Sequence, residues 1–196
     1  KIIQIKGDIT CRNTVKKVFS QHSIDAVIHL AGLKSVPDAE INPLKYYKTN
    51  VFGTINLLSA INTQSCKKFV FSSSATVYGS PHYLPMDEKH PRDPENVYGR
   101  SKLYSERIIH DFCKAQNQTM KALSLRYFNP IGASPECNIG ENSKNTTNIM
   151  PMLLLTASRK KDYLEVFGDN YNTKDGTAGR VYIHVSDLAK AHVKSL

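Results

Sequence analysis

Apolar positions along this chain fall into two alternating periods. Ile2-Ile3-Gln4-Ile5 reads as a short strand, and Val15, Val18 and Phe19 form the apolar side of a short amphipathic helix. Asp25-Ala26-Val27-Ile28-His29-Leu30 has the pattern of a buried strand. Leu44, Tyr47, Val51, Ile55 and Leu58 recur at steps of three and four, which predicts a helix over about 42–62. Lys68–Ser72 reads as the next strand. Residues 97–116 read as a long helix with Ile108, Ile109 and Phe112 as core candidates, and 122–127 as another strand. After about residue 129 the texture changes. The stretch 130–148 is rich in Pro, Gly, Asn, Ser and Thr and predicts a loop. A helix near 149–160 follows, then a short strand at 164–167, a polar stretch over 169–179 and a strand at 181–185. Ser186 is placed to cap a final helix from Asp187.

Alternating strands and helices predict the α/β class, with a doubly wound, Rossmann-like parallel sheet. Residues 1–128 fit a nucleotide-binding domain of that kind, 129–180 part of a smaller substrate lobe, and 181–196 a strand and helix returning to the main domain. A dinucleotide fold normally opens with a strand, a G-x-G-x-x-G turn and a helix. The ten glycines never take that spacing after a strand. Lys1 is not a methionine, a strand pattern starts at once, and a helix pattern runs to Leu196. The chain is therefore expected to be an internal fragment with its N-terminal strands missing, and inactive by itself. A sheet stripped of those strands is also expected to expose an unpaired edge.

Composition narrows the class further. Over 196 residues, 40% are hydrophobic and 22% charged, ordinary usage for a globular chain. No apolar run approaches the roughly 20 residues that span a bilayer, and the start has no small-residue cleavage site, so neither membrane nor secretion is expected. Cys11, Cys66, Cys113 and Cys137 form no CxxC pair, which points to reduced cytoplasmic thiols and no metal site. Asn117-Gln118-Thr119 and Asn145-Thr146-Thr147 match the glycosylation pattern, read as chance matches without a signal peptide. The net charge of +9 is scattered, without an aromatic-interleaved basic stripe, so a solvated surface is favoured over nucleic-acid binding. A positive balance also suits a diphosphate-bearing substrate.

Four segments carry candidate chemistry. Ala31-Gly32-Leu33-Lys34 follows a strand: Gly32 permits close backbone approach and Lys34 reaches outward, though an ordinary turn with a surface lysine fits as well. Ser72-Ser73-Ser74-Ala75-Thr76 puts four hydroxyls within five positions at a strand end, where they orient a reacting alcohol or simply cap a turn. Tyr98-Gly99-Arg100-Ser101-Lys102 places Tyr98 and Lys102 on one helix face. A free phenol titrates near pH 10, and a neighbouring ammonium lowers that value, so Tyr98 becomes a usable acid/base. Alone, such a pair is more often a chance pairing on a helix surface. Joined to the serine run some 25 residues earlier, it points to proton transfer at a hydroxyl. Arg126-Tyr127-Phe128-Asn129-Pro130 closes a strand, and Pro130 is expected to turn the chain there.

Together these segments resemble the extended short-chain dehydrogenase/reductases, and within them the 4-epimerases of UDP-glucose and UDP-galactose. The similarity runs from about Asp8 to Leu196, and it includes Ser74-Ala75-Thr76-Val77-Tyr78-Gly79, Asn148-Ile149-Met150-Pro151 and Asp175-Gly176-Thr177. The resemblance implies bound NAD and UDP-glucose or UDP-galactose as partner, with oxidation at C4 through a 4-keto sugar, and often a homodimer. It implies Tyr98 as base, Ser74 on the sugar O4, and Lys102 on the nicotinamide ribose. It implies Asp8 and Ile9 at the adenine, with Leu30, Ala31, Gly32, Lys34, Asn50, Tyr127 and Phe128 lining the cofactor. For substrate it implies Ser74, Ala75, Thr76, Tyr127, Phe128, Asn129, Asn148, Ile149, Glu165, Val166, Phe167 and Arg180, with Arg180 on the diphosphate. Val181 stands where that family usually has Asp, which implies looser placement of Arg180 and modestly weaker UDP binding. A nucleotide-sugar 4,6-dehydratase or decarboxylase of the same superfamily is the nearest rival. Such enzymes generally carry an extra acid after the hydroxyl run, where this chain has Ala75 and Thr76. A catalytically dead scaffold is the rival from another class.

Overall fold

The computed structural model describes residues 2–62, 66–117, 119–136, 138–142 and 148–196. They group into two compact units, Lys1–Tyr127 with Ser195–Leu196, and Phe128–Lys194. Cys137 and the Asn145 glycosylation match lie outside the described residues.

The first unit is built on three parallel strands, β1 (Ala26–His29), β2 (Lys68–Ser72) and β3 (Lys121–Leu125), in the order β1-β2-β3. Register is fixed by matched triplets: Val27 with Phe69 and Ala122, Ile28 with Val70 and Leu123, His29 with Phe71 and Ser124. Because strand side chains alternate, Val27, Phe69 and Phe71 share one face. That face packs with helix α1 (Arg12–Gln21), helix α4 (Gly53–Ile61) and helix α5 (Val97–Ala115) in one apolar cluster. Val15, Phe19, Leu58, Ile61, Phe69, Phe71 and Ile109 are its buried members, with Ile108 and Phe112 packed against it. Each of the larger ones contributes about 1.5–3 kcal/mol by leaving water. The opposite face carries Ile28 and Leu123, both exposed, beside the buried Val70. This is the parallel α/β, Rossmann-like arrangement that the alternating pattern predicts.

Two short helices, α2 (Val36–Ile41) and α3 (Pro43–Tyr46), lead into a π-helical stretch, Tyr47–Phe52, which runs directly into α4. The predicted 42–62 helix is thus present but widened in its middle, and that changes its inner face. Leu44 is exposed, while Tyr46, Asn50, Thr54 and Leu58 are buried. A π turn adds one residue per turn and rotates everything after it.

The second unit holds β4 (Asn129–Ile131) and β5 (Tyr182–His184) in a parallel pair, α6 (Ile149–Ala157) and α7 (Val185–Lys194).

Four sequence expectations change. Ile2–Ile5 forms no strand, and these isoleucines are exposed: extended chain becomes strand only beside a partner ladder, and none lies there among the described residues. Residues 164–167 likewise form no strand. Pro130 does not end its strand but sits opposite Ile183, tolerated because a two-stranded pair leaves each strand an open edge. The last helix starts at Val185, ahead of Asp187, and Ser186 donates its backbone N–H to His184 Nδ1 at 3.2 Å.

Candidate active site

The carboxyl ends of β1, β2 and β3 open onto the segments that carry the candidate chemistry. After β2 the chain leaves the ladder at Ser73 and enters a short 3₁₀ turn, Ala75–Tyr78, whose N-cap is Ser74. The Ser74 hydroxyl accepts from the Thr76 N–H at 3.2 Å and pairs with the Thr76 hydroxyl. The Ala75 N–H donates to the Tyr127 carbonyl at 3.1 Å, which ties this turn to the end of β3.

Helix α5 is aimed at the same place by its caps. Asn96 Oδ1 accepts from the Gly99 N–H at 2.7 Å, and Glu40 Oε1 from the Val97 N–H at 2.7 Å. Gly99 lets the first helical turn press close. A Cβ there would lie 2.8 Å from the Thr76 carbonyl oxygen and 2.8 Å from Pro94 Cβ. This brings Tyr98 to the side of Ser74.

Tyr98 and Lys102 do share one face. The Lys102 Nζ lies 5.9 Å from the Tyr98 ring centroid and 4.9 Å from that of Phe71. It donates to the Ser72 carbonyl at 2.8 Å. Burial pushes the Lys102 ammonium down to about 8. Burial also pushes the Tyr98 phenol up; the Ser74 hydroxyl pulls it back, and the phenols of Tyr127 and Tyr46 add to the rise. The sequence pattern predicts a lowered phenol from the lysine alone. Here desolvation raises the phenol instead, and the ammonium donates to a backbone carbonyl.

Gly32 and Asn50 shape the loop after β1. Asn50 accepts the Leu33 N–H at 2.8 Å and donates to the Leu33 carbonyl at 3.0 Å and to the Ser101 hydroxyl at 2.9 Å. Its side chain therefore acts like a strand neighbour for Leu33. A Cβ on Gly32 would stand 3.1 Å from Asn50 Oδ1 and 3.5 Å from Lys102 Nζ. The bare backbone of Gly32 thus forms a cradle beside a buried cation.

The profile of the NAD dependent epimerase/dehydratase family matches residues 2–196. The chain belongs to that family. It is 47% identical over 190 residues to a UDP-glucose 4-epimerase of Dictyostelium discoideum, covering 96% of this chain and 55% of the relative. A Bacillus subtilis UDP-glucose 4-epimerase is 48% identical over 192 residues, covering 97% of this chain and 56% of that one. The crystal structure of the Bifidobacterium longum UDP-glucose 4-epimerase in complex with NAD+ and UDP superposes with a TM-score of 0.92 at 41% identity, over 98% of this chain and 58% of that chain. The chain spans about half the length of the curated relatives it matches.

Within this epimerase/dehydratase frame, the remaining predicted positions fall as follows. Asp8 Oδ1 accepts from the Thr10 N–H at 2.8 Å in the turn before α1, which holds its carboxyl below the usual range. Ile9 is pinned by Asn56, which donates to its carbonyl at 2.9 Å. Leu30, Ala31, Gly32 and Lys34 are exposed at the mouth of β1. Tyr127 bonds the Ser72 hydroxyl. In the second unit Phe128 is half-buried, and Asn129 donates from Nδ2 to the Val181 carbonyl at 2.9 Å. Asn148 donates to Glu141 at 2.5 Å and is the N-cap position of α6, which Ile149 starts. Glu165 pairs with Lys161 at 3.6 Å, Val166 and Phe167 are exposed, and Arg180 donates to the Gly179 carbonyl at 2.8 Å.

Three contacts escape sequence reasoning. Ser72 acts through its carbonyl, a group every residue has. Glu106, buried, and Arg126, half-buried, form an ion pair at 2.8 Å beside the serine run. His29 lies buried with Nε2 at 3.0 Å from the Thr54 hydroxyl. For Glu106 alone a signal existed, since it continues the four-residue step of Tyr98 and Lys102.

Proposed function

We propose that this chain is part of an enzyme that interconverts UDP-glucose and UDP-galactose at C4. The single observation that carries the proposal is the meeting of Ser74, Tyr98 and Lys102 at the carboxyl end of β2. The NAD-and-UDP-bound relative supports the ligand classes.

The residues fit NAD: the Gly32 cradle admits a ligand edge beside Lys102, and Asn50 holds the loop that forms it. Held there, NAD would supply a reversible hydride acceptor for C4. The chain's own residues manage the proton. The Tyr98 phenolate takes the proton of the C4 hydroxyl as that carbon is oxidised, and the phenol gives it back on reduction. Ser74 holds the sugar O4 against the phenol, and Lys102 turns its ammonium toward the ribose and the phenolate. Asp8, Ile9, Leu30, Ala31 and Lys34 line the cofactor, with Tyr127 and Phe128 on its nicotinamide side. By family likeness, Ala75 and Thr76 in the first unit, and Asn129, Asn148, Ile149, Glu165, Val166, Phe167 and Arg180 in the second, are assigned to the substrate, with Arg180 on the diphosphate.

The test is conversion of UDP-galactose to UDP-glucose by the whole enzyme of which this chain is part and by its Tyr98→Phe variant. Loss of about 10²–10⁴-fold in kcat is expected, the usual contribution of a positioned acid/base. Full turnover without the phenol would remove Tyr98 from the chemistry. Release of water from the sugar in place of epimerisation would move the protein to the dehydratases.

A further inference from the structure

Tyr98, Lys102 and Glu106 follow one another at steps of four along α5, so they share a helix face. The proposed chemistry uses the first two. Glu106 is buried all the same, and it is densely bonded. It accepts from the Ser73 hydroxyl at 2.5 Å, from Arg126 Nε at 2.9 and 3.2 Å, and from Arg126 Nη2 at 2.8 Å. Arg92 Nη1 adds a longer contact at 3.5 Å. Arg126 also donates from Nη1 to the Tyr78 hydroxyl at 3.1 Å.

These partners belong to the three segments that build the site. Ser73 immediately precedes Ser74. Arg126 immediately precedes Tyr127, whose carbonyl holds the Ala75 N–H. Glu106 rides on the helix that carries Tyr98 and Lys102, one turn beyond the lysine. A carboxylate four residues from a lysine ordinarily attracts it. Here Arg126 engages both Glu106 oxygens, and Lys102 reaches the Ser72 carbonyl instead. Stability alone does not call for this arrangement, because buried ion pairs are often replaced by apolar residues without loss.

We propose that Glu106, clamped by Arg126, is a positioning residue: through Ser73 it sets the Ser74 hydroxyl against Tyr98, and, held by Arg126, it does not draw Lys102 away from the site. This rests on Tyr98 being the acid/base.

The experiment compares Glu106→Gln, Ser73→Ala and Tyr98→Phe in the protein. The Tyr98 phenol is titrated by ¹³Cζ-tyrosine NMR, with its resonance identified by its loss in Tyr98→Phe. UDP-galactose kinetics are followed across pH. In Glu106→Gln we expect the Tyr98 midpoint to move by about half a unit or more. We also expect kcat to fall about tenfold or more with KM within about threefold, the pattern of lost orientation rather than lost binding. Ser73→Ala is expected to move both in the same direction by less. If Glu106→Gln does not fold, Ser73→Ala decides, since it cuts the link without stranding a charge. A Tyr98 midpoint and kcat unchanged in the folded variants would reduce Glu106 to a structural ion pair and overturn the inference. Unchanged turnover in Tyr98→Phe would instead overturn the acid/base assignment, so the two failures are distinguishable.

Discussion

Lys102 keeps its ammonium between the Phe71 ring and the Ser72 carbonyl, where burial lowers it to about 8. A lysine lowered this far loses its charge as pH rises through about 8, well before a free lysine does. Its support of a Tyr98 phenolate is therefore present below that value and lost above it. We expect kcat/KM for UDP-galactose to fall above pH 8, and Lys102→Met to lower the rate and abolish that alkaline limb. The same limb surviving in Lys102→Met would assign it to another group. At this scale the sequence displayed the Tyr98–Lys102 spacing, because four residues along a helix always bring two side chains onto one face. It did not show where the ammonium points, since its acceptor is a backbone carbonyl 30 residues away.

The π-helical stretch Tyr47–Phe52 is the element that most alters the local pattern. Its widened turn goes with an Asn50 carbonyl that accepts both the Thr54 hydroxyl at 2.6 Å and the Ser105 hydroxyl at 3.0 Å. Meanwhile the Asn50 side chain holds Leu33 from the loop after β1. Asn50→Ala leaves the Leu33 N–H and C=O without that partner, at a cost of about 1–3 kcal/mol. A lower Tm is expected, together with NAD affinity about tenfold weaker or more by calorimetric titration, because the Gly32 cradle loses its backing. A lower Tm with undiminished NAD affinity would separate Asn50 from the cofactor loop. Periodicity predicted a helix here and was right about its extent. It could not predict the π turn, which is maintained by partners 17 and 55 residues away.

For the molecule as a whole, His29 links stability to pH. It is buried against Phe69 and Phe71, and burial first, then the Lys102 charge, lowers it from 6.5 to about 4. As pH falls below 6.5 the unfolded chain binds this proton and the folded chain does not. The stability that a neutral His29 permits is therefore present above pH 6.5 and lost between there and about 4. The limit of that loss is about 3 kcal/mol, the shift converted at roughly 1.4 kcal/mol per unit. Thermal melts from pH 7 to 4 are expected to show this decline, and His29→Gln to flatten it. An equally steep decline in His29→Gln would assign it to other groups. Lys102 titrates above this window and does not contribute to it.

Sequence alone determined whatever depends on near neighbours. The two periods gave strands over Ala26–His29 and Lys68–Ser72 and helices over Arg12–Gln21 and Val97–Ala115, since pleat and helix pitch act within a few residues. The hydroxyl run and the Tyr98–Lys102 step were legible for the same reason. Tertiary structure alone decided what depends on partners far along the chain. Ile2–Ile5 has strand propensity without a ladder, while Pro130 joins one because β5 lies beside it. Asn50 looks free in sequence and is spent on Leu33 and Ser101. Ser73, Glu106 and Arg126, spread over more than 50 residues, become one bonded cluster. Burial then fixes the titration of Tyr98, Lys102 and His29, because desolvation depends on everything packed around a group and not on its neighbours in sequence.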